Sequence, residues 1–272
     1  MQIEEAVEAF QDLIECAIME DGNRGKTAMI RSSKPILKIH EAVKYALIQR
    51  GISSDLLYPP LGERTPELKL AGFLKQKDQD VCVVPSSLVC MEEVLEEGLL
   101  AGVVDRYGQA FTERTLTINV RSQISSIQKN FDTLFERTYA EAYNLHERSP
   151  SMVLGEVYLL AIPEYDDKAF SQNRVAFKEI NQKLLEKYIK SFHAISHRTR
   201  TDKNFYQYEA TSLLIVDFRD GEAKLYHSTE ALIEDGLLSE ETEVEYETLS
   251  WNFFFDRLLE VYDERFGLEN LR

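Results

Sequence analysis

The chain predicts an α/β fold, a mixed β-sheet flanked by helices. Three features carry that expectation. The run Met152–Ile162 is apolar almost throughout, which suits a strand buried on both faces beside parallel neighbours. A long amphipathic segment, 126–147, precedes it, and a strand of alternating character, 115–123, precedes that; strand–helix–strand is the crossover that joins parallel strands. Ahead of both lies an antiparallel hairpin, 67–85, which makes the sheet mixed. With 272 residues, 44% of them hydrophobic, the chain can bury a sizeable core. It shows no linker composition, repeat or low-complexity run, so a single domain over 1–272 is expected, its core spanning 35–218.

Taken in order, Ile3, Val7, Phe10, Ile14 and Ile18 recur at helical spacing and predict a helix over 2–19, ended by Asp21-Gly22-Asn23. Gly25-Lys26-Thr27 is no phosphate loop, because Glu20 stands where the upstream glycine belongs and no strand precedes it. A second helix covers 35–50, with Pro35 in its first turn, Ile36, Ile39, Val43 and Leu47 as its apolar stripe, and Gly51 as its stop. After a Pro59-Pro60 loop come strand 67–76, a polar turn at Lys77-Asp78-Gln79 and strand 80–85. Leu88, Met91, Val94 and Leu95 predict a helix over 86–98.

Side chains on a strand repeat every two residues, so Asn119, Arg121 and Gln123 share one face of strand 115–123. Ser125 and Gln128 have the spacing of a capping box for helix 126–147, on which Arg137 and Glu141 lie one turn apart and pair at the surface. A helix over 168–193, a basic loop over 196–204 and strands over 212–218 and 223–227 follow. The helix 251–266 ends the pattern with Trp251, Phe254, Phe255 and Tyr262 on one face, to be packed on the core or on a second subunit.

Composition narrows the function. Three cysteines without Cys-x-x-Cys spacing imply neither a disulfide framework nor zinc, and they read as small apolar residues of a reducing cytoplasm. The acidic start and the lack of an apolar run of roughly 18–20 residues predict a cytoplasmic chain without a membrane segment. A net charge of −16 opposes non-specific polyanion binding. That charge is segregated, however. Arg24, Lys26, Arg31, Lys34 and Lys38 stand together without an acid, whereas 234–247 carries seven acids and no base. Room remains for a positively lined cleft.

The order helix 35–50, hairpin with Asp80, strand 115–123, helix 126–147 and strand 152–162 resembles the core of the PD-(D/E)XK nucleases. More narrowly, Glu67–Val81, Asn119-Val120-Arg121-Ser122-Gln123-Ile124-Ser125-Ser126 and Leu213–Phe218 resemble segments of type II restriction endonucleases, over roughly residues 24–266. The resemblance implies a restriction-endonuclease-like sheet and Mg²⁺-dependent cleavage of double-stranded DNA by a symmetric homodimer reading a short palindrome. It implies that Asp80 is the first metal-binding acid. Asn119 stands where the second acid belongs and Arg121 where the lysine belongs. Asparagine offers a neutral carbonyl oxygen, and arginine stays protonated, so it orients a phosphate but is no base. Another carboxylate must then complete the metal shell: Glu41 first, with Glu67 next and Glu156 also open. Gln123 would hold the water or a phosphate oxygen, and Lys34, Arg198, Arg200 and Lys203 would contact DNA. Two other readings stand beside this one. Asn119 and Arg121 suggest a nuclease-inactive DNA-binding protein on the same fold, and the acidic balance suggests a scaffold with no nucleic-acid role.

Overall fold

The two most apolar runs of the chain become two adjacent inner strands, each buried along its whole length, in a computed structural model that describes all residues 1–272. Helices α1 (Ile3–Arg31) and α2 (Lys34–Gln49) open the chain. Strands β1 (Leu57–Tyr58), β2 (Leu68–Ala71), β3 (Gln76–Gln79), β4 (Val81–Val83), β5 (Glu93–Val94) and β6 (Val104–Asp105) follow. Next come α3 (Gln109–Arg114), β7 (Leu116–Gln123), α4 (Ile127–His146), β8 (Leu154–Ala161) and α5 (Gln182–Ala194). Strands β9 (Ala210–Asp217) and β10 (Lys224–Leu225), then α6 (Thr229–Glu234) and α7 (Trp251–Phe266), close it.

The main sheet has the order β1-β4-β7-β8-β9-β10. Along its first three strands each is antiparallel to its neighbour, β7, β8 and β9 run parallel, and β10 returns antiparallel. One face is covered by α1, α2 and α7 through Phe10, Ile14, Val43, Phe254 and Leu258, which pack with Ile118, Val157 and Leu214 of the sheet. The other face carries α4 and α5, with Phe131, Tyr188 and Leu185 against Tyr158, Leu160 and Leu213. The alternation of the strands feeds both layers, giving helices on both sides of a mixed sheet. No helix is long and apolar enough to cross a membrane.

Several elements differ from the sequence expectation, each for a long-range reason. The first helix does not stop at Asp21. It breaks there and at Gly22, whose φ of +49° turns the chain, and it resumes to Arg31. A side chain at Gly22 would meet the Phe170 carbonyl at 2.1 Å, so only glycine fits. Lys26 is buried and spends its charge on Asp167 at 2.7 Å, which makes it a structural tie. Residues 86–98 form no helix. Their backbone closes on itself as the β5–β6 hairpin, with Leu95 N–H donating to Val103 O (2.9 Å) and Gly102 N–H to Leu95 O (2.7 Å). Val89, Met91 and Val94 stay exposed, because no core surface lies beneath them. The helix expected over 168–193 begins only at Gln182, capped by the Asn181 side chain, which accepts from Leu184 N–H. Of the cysteines only Cys82 is buried; Cys16 and Cys90 are exposed.

The hairpin is the most informative correction. Its turn lies at Gly72–Lys75 rather than at 77–79, and Lys77-Asp78-Gln79 belongs to β3, paired with β2. The turn is fixed from outside, by Asn144 of α4, whose Oδ1 accepts from Leu74 N–H (2.7 Å) and Lys75 N–H (3.0 Å). The aromatic face of α7 goes to the core: Trp251, Phe254, Phe255, Leu258 and Tyr262 are all buried. Where α7 crosses β8, a side chain on Gly155 would sit 2.7 Å from the Phe254 ring. Gly155→Ala is expected to lower the unfolding free energy by about 1–3 kcal/mol through overpacking, measured as a fall in the urea midpoint at unchanged slope.

Candidate active site

The sheet register brings the site together. Val81 pairs with Ile118 across β4 and β7, so one step further along the same ladder Asp80 lies beside Asn119. Asn119 pairs in turn with Glu156 of β8, and Glu156 with Thr211 of β9. Asp80, Asn119, Glu156 and Thr211 therefore form a row across four strands on the face that α4 covers. Neighbouring strands are about 4.8 Å apart, so adjacent members of the row are side-chain neighbours. Asp80 is anchored in place, its Oδ2 accepting from Val120 N–H at 2.8 Å.

The row is buried and poor in partners. Asn119 is 1% exposed and Glu156 is fully buried. Both polar atoms of the Asn119 side chain, both carboxylate oxygens of Glu156 and the Thr211 hydroxyl lack a hydrogen-bond partner. Arg121 Nε approaches Glu156 Oε1 at 3.2 Å as an ion pair without hydrogen-bond alignment. Burial pushes the Glu156 carboxyl above the usual range, and Arg121 and Lys77 oppose the shift. Unsatisfied polar groups are costly in a core, and here they are concentrated in one row.

Beside the row opens a cleft of about 570 Å³. Lys75, Lys77 and Asp80 line it from the hairpin, Arg121 from β7, and Arg137 and Glu141 from α4. Glu141 is its hub. It pairs with the Arg121 guanidinium, and its Oε1 lies 2.8 Å from Lys77 Nζ and 3.8 Å from Lys75 Nζ. Thr138 Oγ1 accepts a further bond from Arg121 at 2.7 Å. Counting Asp80, Glu141 and Glu156 against two lysines and two arginines, cations exceed anions by one, in a chain whose net charge is −16.

The sequence-predicted residues divide cleanly. Asp80, Asn119 and Arg121 converge. Glu67 is on the approach to Asp80: burial first, then the Asp80 and Asp78 charges, raise its carboxyl. Gln123 does not take part, since it lies deep in the core and accepts the hydroxyls of Tyr158 and Tyr188, both at 2.8 Å. Glu41 is likewise engaged elsewhere, bound to Lys44 (2.6 Å) and to Gly62 N–H (2.7 Å), where it shapes the 60–63 loop. Arg198 is 1% exposed and cannot reach DNA. It pairs with buried Glu209 at 2.9 Å and donates to the carbonyls of Pro150, Thr201 and Lys203. Arg200 is exposed but forms a two-point pair with Asp202. Lys34 and Lys203 are exposed. The sequence reading missed Lys77, which it assigned to a turn, and Glu141, which it assigned to the helix surface. The one local signal was that Glu141 flanks the buried stripe of α4 at Thr138, Ala142 and Leu145.

Compared with known proteins, the chain matches no family model, no curated protein and no solved structure.

Proposed function

We propose that the chain is a Mg²⁺-dependent endodeoxyribonuclease of the type II restriction class, hydrolysing phosphodiester bonds in double-stranded DNA. The observation that carries this reading is the row Asp80–Asn119–Glu156 opening beside a cleft lined by Lys75, Lys77, Arg121 and Arg137. The element order α2–β1–β4–β7–α4–β8 supports it as well, being the order of the restriction-endonuclease-like core that the sequence resembles. Glu156 supplies, from the next strand, the charge that Asn119 lacks.

No three His, Cys, Asp or Glu residues converge as a metal-binding group. Mg²⁺ needs fewer: one or two carboxylates, with waters and substrate phosphate filling the octahedron. Asp80, Glu156 and the Asn119 carbonyl oxygen are hard oxygen donors, and the unpartnered state of the last two fits that role. When bound, the ion would neutralise the scissile phosphate and acidify a water. The chain's own cations do the rest: Arg121 and Arg137 hold phosphate oxygens, while Lys34 and Lys203 are free to track the backbone outside the cleft. A symmetric homodimer in the cytoplasm, each copy cutting one strand of a palindrome, completes the proposal.

A second reading, a DNA-binding protein without catalysis, is favoured by one observation. Arg121 is held between Glu141 and Glu156, where it neutralises the second carboxylate. Incubation of supercoiled plasmid with the protein, with and without Mg²⁺, at about 50 mM salt separates the readings. Discrete fragments only with Mg²⁺ are expected. Salt-dependent mobility shifts without cutting would support the second reading, and no binding at all would leave an acidic scaffold.

A further inference from the structure

We infer that the β5–β6 arm and the groove at its base dock a short basic, apolar segment of a partner protein. Eight of the fifteen large apolar side chains that the fold leaves exposed lie between Phe73 and Val104. Val89, Met91 and Leu99 are 77%, 74% and 76% exposed, on an arm whose two short strands pair only with each other. Apolar residues scattered over a surface are ordinary, whereas a concentration of this kind marks an interaction surface. The arm is nonetheless held in place. Arg148, just beyond α4, pairs with Glu93 and, at 2.9 Å, with Asp105. Gly98 lies so close to Phe73 that a side chain there would sit 3.0 Å from the ring. A surface fixed in advance loses little entropy when it is covered.

Between the arm, the hairpin turn and the end of α4 lies a groove of about 520 Å³. Phe73, Val94, Leu95 and Leu100 give it apolar walls, and Glu93, Glu96, Glu97 and Glu147 line it with carboxylates. Arg148 is its only cation and is already taken by Glu93 and Asp105, which leaves Glu96, Glu97 and Glu147 without a counter-ion. Anions exceed cations by three in the lining. That charge selects the occupant. Nucleic acid and an anionic lipid surface are repelled. A second copy seated arm against arm about a two-fold axis would set Glu92, Glu96 and Glu97 against the same three residues. A segment carrying lysine or arginine between apolar residues suits both features. Its apolar side chains cover Val94 and Leu100, and its cations meet Glu96, Glu97 and Glu147. The groove is separate from the cleft, because Gly72 and Phe73 of the hairpin turn face the groove while Leu74 and Lys75 line the cleft.

The probe is a fluorescein-labelled heptapeptide alternating lysine and leucine, titrated with the full chain and followed by fluorescence anisotropy at about 50 mM and about 500 mM salt. Two control peptides keep one character each, lysine with serine and glutamate with leucine. Val94→Asp and the double variant Glu96→Lys/Glu97→Lys test the groove; all three positions are exposed, so the fold should tolerate both changes. The lysine–leucine peptide is expected to bind at low salt and to weaken at high salt. Each control peptide, and each variant with the lysine–leucine peptide, should lose about tenfold or more in affinity. Hydrogen exchange over residues 89–104 should slow when that peptide binds. No binding of the lysine–leucine peptide, or equal binding of the lysine–serine peptide, would overturn the inference. Undiminished binding by the variants would do the same, by placing the peptide elsewhere. So would a wild-type chain that sediments as a dimer and that Val94→Asp dissociates, since a second copy is then the occupant.

Discussion

Asp80→Ala is expected to abolish plasmid cleavage while leaving folding and low-salt DNA binding intact. In the proposed nuclease Asp80 would supply one charged metal ligand, and it accepts one bond from the β7 backbone, from Val120 N–H. The first loss removes several kcal/mol of transition-state charge stabilisation; about 4 kcal/mol already corresponds to about 10³-fold in rate. The second costs the fold about 1 kcal/mol. Glu156→Gln is the stricter companion. It keeps the shape and removes only the charge, and Arg121 retains Glu141 as its partner. Its cleavage should fall as far as that of Asp80→Ala, with an unchanged urea midpoint. Retained cutting in either variant places the chemistry elsewhere.

The largest effect on stability is expected at Glu209, far from any proposed chemistry. This fully buried carboxylate receives Leu154 N–H, Arg198 and Arg265 at 2.9 Å each, and it faces buried His146 at 3.2 Å. It thereby joins the starts of β8 and β9 to α4, α7 and the 196–208 loop. Glu209→Ala strands two guanidinium groups without an anion and should lower the unfolding free energy by about 3–5 kcal/mol. Burial alone would raise the Glu209 carboxyl, but His146, Arg265 and Arg198 together outweigh it and hold the group at about 2 against an ordinary 4.5. The folded value lies below the unfolded one, so the stabilisation is complete above about 4.5 and lost as pH falls toward 2. The interval amounts to about 3 kcal/mol. Urea titrations of wild type should steepen in that window, and Glu209→Gln should lack that share of the slope.

Periodicity carried the frame. The apolar runs of β8 and β9, the amphipathic α4 and the aromatic stripe of α7 were legible because each local pattern agrees with what the element buries. So was the pairing of Asp80 with the face of Asn119 and Arg121. What escaped was set by distant partners. Asn144 draws the hairpin turn to 72–75 and so converts Lys77 from turn to strand. Arg198 looks like a surface cation beside Arg200 until Glu209 draws it inward. Glu141 and Arg137 have ideal spacing for a surface pair, yet Arg121 and Lys77 claim Glu141. The expected cap at Ser125–Gln128 gives way to Glu164, which accepts Ile127 N–H at 2.7 Å. Charged side chains answer to whichever counter-charge folding delivers, and a one-dimensional pattern does not contain it.

Between Gln79 and Val81 the chain passes from one sheet to another, and Asp80 alone stands between the two ladders. Adding one residue at that junction would leave both ladders able to form while changing the side on which β3 presents its lysine relative to Asp80. Lineages descended from such a sequence could therefore gain or lose this centre by a change in length, with no chemical group replaced.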